Sequence, residues 1–195
     1  MKQVYDYIKA HLQEGLDDLA RLCRQPSVSA QGKGVEECAR LTAAMLREQG
    51  LKTQVLPIPG GYPVVYGELA GESPTTLLFY NHYDVQPPEP LELWSSPPFE
   101  PTLRDGRLWA RGVSDNKGNI VARLLAIKAF REVRGHLPVS VKFCIEGEEE
   151  IGSRNLPAFV EGHKDLLKAD TCLWEGGGVN WKGQPTIYLG VKGIL

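Results

Sequence analysis

The sequence predicts an α/β fold, a twisted mixed β-sheet with helices on both faces. Helical periodicity opens the chain and gives way to short apolar strand segments that then alternate with further helical repeats. The runs Thr75 to Tyr80 and Val139 to Ile145 are apolar without alternation, as strands covered on both faces are. At 195 residues, with 42% hydrophobic and 24% charged side chains, the chain suits one soluble domain with a real core.

Each element has a local reason. Val4, Ile8, Leu12, Leu16, Leu19 and Leu22 recur at helical spacing, and Gln25-Pro26-Ser27 ends that helix because a proline disfavours helix at the residue before it. Gln31-Gly32-Lys33-Gly34 reads as a flexible loop; no Gly-Lys-Ser/Thr follows to make it a phosphate cradle. A second amphipathic helix is expected from Val35 to Gln49, with Gly50 in the terminating position. Strands follow at Lys52 to Leu56 and Val64 to Leu69, separated by the turn-rich Pro57 to Gly61. The Thr75 to Tyr80 strand delivers Asn81-His82-Tyr83-Asp84 at its end.

A proline-rich loop then leads to a hairpin from Thr102 to Trp109, turning at Asp105-Gly106. A helix is expected from Asn119 to Val133, with Asp115 just ahead of it, and a strand from Val139 to Ile145. Leu156 to Leu167 reads as a helix interrupted at Gly162, and Thr171 to Trp174 as a strand running into Glu175-Gly176-Gly177-Gly178. A last hairpin turns at Lys182-Gly183 and carries Thr186 to Gly190.

Composition narrows the function classes. A net charge of −2 without a basic cluster leaves no footprint for nucleic acid. The N-terminus lacks the apolar core of a signal peptide, and no run reaches the ~18 uncharged apolar residues of a membrane helix. The best stretch, Ile120 to Phe130, contains Arg123 and Lys128, so no membrane association and a cytoplasmic location are expected. Cys23, Cys38, Cys144 and Cys172 form no Cys-x-x-Cys pair and read as small buried apolar residues.

The chemistry is concentrated at strand ends. Glu146, Glu148, Glu149 and Glu150 follow an apolar strand and repel one another, which reads either as a solvated acidic turn or as a cation site. His82 and Asp84 read as a surface pair, a satisfied core histidine, or a ligand with its partner. Asp115 reads as an N-cap or a ligand, and Glu175 as a loop acid or a ligand. Placed together at one sheet edge, one imidazole with several carboxylates suits zinc, manganese or cobalt. Asp84 has the position to accept the second ring N–H of His82.

His82-Tyr83-Asp84, Arg111-Gly112-x-x-Asp115-x-Lys117-Gly118, Glu146-Gly147-x-Glu149-Glu150-x-Gly152-Ser153 and Glu175 in its glycine-rich turn carry a family resemblance. Together they resemble the dinuclear zinc metallopeptidases that include carboxypeptidase G, aminoacylase, succinyl-diaminopimelate desuccinylase and carnosinase-type dipeptidases. The resemblance implies that Asp115 bridges two zinc ions, that His82 and Glu175 complete one, and that Glu150 binds the other. It implies Glu149 as the general base on the metal-bridging water, and a cis peptide at Asp115-Asn116. His136 and His163 stand in no matching context and read as surface residues.

The same resemblance implies that residues 1–195 are the N-terminal portion of a catalytic domain, without the family's lid and dimerisation domain or its last histidine ligand. That leaves an exposed sheet edge and homo-oligomerisation open. The expected function is zinc-dependent hydrolysis of dipeptides or N-acyl amino acids. The alternatives are a metal-binding fragment or interaction module with little activity of its own, and an aminoacylase or desuccinylase-type deacylase. Leu93-Trp94-x-x-Pro97-Pro98-Phe99 and Asp105-Gly106-Arg107-Leu108 resemble the dipeptidase branch, whereas Glu175, rather than Asp, resembles the aminoacylase and carboxypeptidase members.

Overall fold

The structure, a computed structural model, describes residues 1–176 and 178–186. Its first correction falls on the opening helix, which is two helices, α1 (Lys2–Ala10) and α2 (Leu12–Arg24). His11 leaves the helical region at φ −110°, ψ 18°, its ring stacks on Tyr7 at 3.8 Å, and its Nδ1 lies 2.8 Å from the Tyr7 carbonyl. The apolar spacing survives this kink, so periodicity alone does not report it. At the far end of α2, Lys117 Nζ donates to the carbonyls of Leu22 (3.2 Å) and Gln25 (2.7 Å), a buried cation on the negative end of the helix.

The glycine loop after α2 is a closed turn. Val28 and Lys33 exchange two backbone hydrogen bonds of 3.0 and 3.1 Å, which the expected flexible loop did not include. Helix α3 (Val35–Glu48) then buries Val35, Cys38, Ala39, Met45 and Leu46, and Gly50 reverses the chain at φ 79°. Strands β1 (Lys52–Leu56) and β2 (Val64–Leu69) have the expected bounds, and β3 (Ser73–His82) extends the expected strand at both ends. The hairpin β4 (Thr102–Arg104) and β5 (Arg107–Trp109) turns through Asp105 and Gly106, both at positive φ (53° and 70°). Helix α4 (Lys117–Arg134), strand β6 (Val139–Glu146), helices α5 (Leu156–Gly162) and α6 (Lys164–Leu167), and strand β7 (Thr171–Trp174) follow. The break expected at Gly162 in the Leu156 to Leu167 helix falls one residue later, at His163. Of the last predicted hairpin, the Val179–Pro185 bridge is described, whereas 187–190 lie outside the described residues.

The main sheet has the order β1-β2-β6-β3-β7. Strand β2 is antiparallel to both neighbours, whereas β6, β3 and β7 run parallel, so the sheet is mixed. Side chains alternate between two cores. Val65, Phe79, Val141, Phe143 and Ile145 face α3 and α4, while Val64, Tyr66, Leu78 and Cys144 pack with Phe159 and Leu167 on the other face. Strand β3 is interior, as its apolar run requires, but it is fully buried only over Phe79 to His82. Cys23, Cys38 and Cys144 are buried as expected. Cys172 is exposed, because β7 is the last strand of the described sheet.

Three parallel strands therefore point their carboxyl ends the same way, and α4 begins beside them. In open α/β sheets that edge is where ligands bind. His82, Asp84, Asp115, Glu149, Glu150 and Glu175 lie there.

Candidate metal centre

His82 closes β3 directly opposite Glu146 of β6 and is fully buried. Its Nε2 lies 2.9 Å from Asp115 Oδ1 and 3.8 Å from Glu149 Oε2. Its Nδ1 lies 3.1 Å from the Asp84 carbonyl and 3.4 Å from Asp84 Oδ1. Asp84 thus stands by the imidazole as expected, and its carboxylate has a further task. Oδ1 and Oδ2 accept the backbone N–H groups of Glu149 (3.2 Å) and Glu150 (3.1 Å). One buried carboxylate fixes both the histidine and the turn that carries the glutamate pair.

That turn is a short 3₁₀ segment, Glu149–Ile151, reversed at Gly152 with φ 89°. It begins at Gly147, where a Cβ would fall 2.3 Å from the Tyr83 hydroxyl, so only glycine lets the acidic segment lie against that ring. Glu146 and Glu148 are buried supports of the turn rather than part of a solvated acidic surface. Glu146 accepts hydrogen bonds from the hydroxyls of Tyr80 (2.5 Å) and Ser153 (2.7 Å). Glu148 accepts from the side-chain amide of Asn155 (3.0 and 3.1 Å). These two carboxylates hold the turn and leave Glu149 and Glu150 for the site.

Asp115 is not an N-cap. Asn116 occupies that position without a side-chain capping bond, and the Asp115 side chain is 70% exposed with Oδ1 turned to His82. The Asp115-Asn116 peptide is cis, as the resemblance implied. Glu175 follows β7 at φ 37°, its N–H donating to the Tyr80 carbonyl at 2.9 Å. It is half-buried rather than a free loop acid.

Two ligand sets result, His82 with Asp115 and Glu175, and His82 with Glu149 and Glu150. Within each set one donor atom per residue lies within 4.8 Å of the others. The electrostatics favour added positive charge. Burial works to lower the His82 pKa, but the Asp84, Asp115 and Glu149 carboxylates outweigh it and raise it to about 9. Burial, with the neighbouring acids, raises both Glu149 and Glu150, against the opposing pull of His82 on Glu149 and of the Gln86 hydrogen bond and His82 on Glu150. A site that draws protons onto both its imidazole and its carboxylates is short of positive charge, and one imidazole among four carboxylates fits a divalent transition ion.

Comparison with known proteins approaches the chain from a different direction. The description "Peptidase family M20/M25/M40" matches residues 78–190, which include every one of these donors. The chain belongs to that family. A Beta-Ala-His dipeptidase of Homo sapiens is 47% identical over 144 residues, covering 72% of this chain and 28% of that protein. A Cys-Gly metallodipeptidase of Schizosaccharomyces pombe is 33% identical over 216 residues, covering 100% of this chain and 44% of that one. Among solved structures, an M20 family metallo-carboxypeptidase of Sulfolobus solfataricus superposes with a TM-score of 0.83 at 43% identity, over 87% of this chain and 39% of that one. The chain thus spans less than half the length of these relatives. No helix among the described residues is long and apolar enough to cross a membrane.

This M20/M25/M40 chain brings together all six residues expected from its sequence: His82, Asp84, Asp115, Glu149, Glu150 and Glu175. His136 pairs with Glu72 at 3.0 Å, on the surface as expected. His163 is half-buried instead, stacked on Phe159 at 4.2 Å. Sequence reasoning missed Arg123, which donates to the Tyr80 carbonyl (2.9 Å), to Asn81 Oδ1 and to the Glu175 carbonyl. A signal for it was present. Arg123 stands three residues after Ile120 and four before Ile127, on the buried stripe of α4, and an arginine there needs acceptors.

Proposed function

We propose that the intact protein is a zinc-dependent hydrolase of dipeptides, with this segment carrying the metal-binding half of its site. The convergence of His82, Asp115, Glu149, Glu150 and Glu175 on one strand edge is the observation that carries the reading. His82 and Glu175 would hold one ion, Glu150 the other, and Asp115, nearest the shared imidazole, would belong to both. Bound zinc would supply Lewis acidity, lowering the pKa of water and polarising a carbonyl oxygen; manganese or cobalt would serve similarly.

The protein's own groups divide the remaining work. Glu150 is held by Gln86, whose Nε2 donates to Oε2 at 2.8 Å, as befits a fixed ligand. Among the described residues Glu149 accepts no side-chain hydrogen bond, which suits a carboxylate that moves a proton. Glu149 takes a proton from the attacking water as its oxygen bonds to the amide carbon. It then gives that proton to the departing nitrogen as the C–N bond breaks. Asp84 keeps Glu149 and His82 in register during this exchange.

The dipeptide assignment rests on the relatives named for β-Ala-His and Cys-Gly and on the Trp94 to Phe99 loop. In that loop Trp94 Nε1 donates to the Pro88 carbonyl (2.7 Å), and the Arg111 guanidinium lies over its ring at 5.3 Å. The test is metal analysis of the intact protein with hydrolysis of β-Ala-His, Cys-Gly and N-acyl amino acids. About two zinc per chain with dipeptides preferred is the expected result. Absence of bound metal together with absence of hydrolysis overturns the proposal, and a strong preference for N-acyl amino acids overturns its substrate class.

A further inference from the structure

We infer that Arg123 is a positioning residue for the metal centre, one guanidinium that locks together the three chain segments carrying His82, Asp115 and Glu175. The inference rests on the metal reading above. One terminal nitrogen of Arg123, which has two hydrogens, donates to the Tyr80 carbonyl (2.9 Å) and to Asn81 Oδ1, the two residues immediately before His82. The other terminal nitrogen donates to the carbonyl of Glu175 itself. Asn81 in turn donates through Nδ2 to Asn116 Oδ1, immediately after Asp115. Each contact therefore falls on a ligand residue or within two positions of one.

Three further observations separate this from an ordinary helix-to-sheet contact. The three segments come from different elements, the ends of β3 and β7 and the start of α4, and beyond the β3–β7 ladder, which stops at Tyr80 and Trp174, the backbone bonds between them are few among the described residues. Glu175 N–H to the Tyr80 carbonyl is one, and Arg123 shares that same acceptor. Glu175 sits at positive φ, a conformation a non-glycine residue keeps only when its surroundings impose it. The guanidinium also rests 4.9 Å from the Phe79 ring centre, so its plane is set by an aromatic floor before it meets its acceptors. Lysine offers a single charged point on a flexible stem and cannot reproduce a planar fork that serves three acceptors.

The test is zinc affinity by competition with a chromophoric chelator, and the visible spectrum of the cobalt-loaded site. Both are measured on the intact protein carrying Arg123→Met, Arg123→Lys, His82→Ala or the exposed control Arg21→Met, with folding of each metal-free variant checked by circular dichroism. We expect both Arg123 variants to lose about 10- to 100-fold in affinity and to show an altered cobalt spectrum. Arg21→Met should match wild type in both. An Arg123→Gly protein should regain part of its affinity in millimolar methylguanidinium. Folded Arg123→Met or Arg123→Lys protein with wild-type affinity and spectrum overturns the inference, and so does loss of fold in both, which would make the arginine a purely structural element. A wild-type protein that binds no metal, or a His82→Ala variant that binds as well as wild type, overturns the metal reading itself and the inference with it.

Discussion

The two sides of His82 are built by opposite means. On one side Glu149 and Glu150 are held from below by a buried anion, Asp84, whose two oxygens accept the backbone N–H groups of the turn. On the other side Asp115 and Glu175 are gathered by a cation, Arg123, acting on carbonyl and amide oxygens. The first side sits in the centre of the sheet, against β6, where local backbone geometry does most of the positioning. The second joins β7, the last strand of the sheet among the described residues, to the start of α4, and there a long side chain spans the gap. The lesson is that ligand geometry at a sheet edge is set by whichever charged group the neighbouring backbone leaves room for.

The largest expected effect separates the two glutamates on the Asp84 side. Glu149→Gln should lower turnover by about 10²- to 10⁴-fold with metal content unchanged, as removal of a general base does. Glu150→Gln should lose metal first. Loss of metal from the Glu149 variant with activity retained in the Glu150 variant would exchange the two roles.

The next effect compares the supports. Asp84→Ala leaves two backbone N–H groups in a buried turn without their acceptor, at about 1–3 kcal/mol each, so urea midpoints should fall clearly and zinc affinity with them. If the two sides are separate devices, Asp84→Asn and Arg123→Lys should combine additively in zinc affinity, within roughly 0.5 kcal/mol. A larger coupling would show that they act as one network through His82.

The smallest effect is a pH dependence beneath the Asp84 side. Burial raises the Glu146 carboxyl above its ordinary 4.5, against the lowering hydrogen bonds from Tyr80 and Ser153. A carboxyl whose folded pKa is raised contributes stability that is complete below the unfolded value and is lost as pH rises through the folded one. Glu146→Gln mimics the protonated form and keeps an oxygen for both hydroxyls. It should therefore be about as stable as wild type at pH 4 and more stable near neutrality, by up to about 1 kcal/mol. Parallel denaturation curves at both pH values check this; a variant destabilised equally at both would show that the ionised carboxylate is the favoured state.

Periodicity carried most of the element bounds, because strand and helix spacing are local. It could not show the break at His11, where one ring bonds back to Tyr7 without disturbing the apolar repeat. Nor could it show the burial of Glu146 and Glu148, since a run of acids looks the same whether its acceptors meet water or meet Tyr80, Ser153 and Asn155. Cys172 misled for a related reason. Its apolar neighbours suggest burial, but exposure depends on what lies beyond its strand.

By itself the sequence determined the α/β class and nearly every strand and helix, and it marked six residues as candidates for the site, because ligand types at strand ends are written in local order. Only the tertiary structure decided the strand order, the two ligand sets around His82, the second task of Asp84 and the reach of Arg123. Those depend on which segments meet across the sheet edge, and the contacts that fix them join residues from 2 to 66 positions apart in the chain.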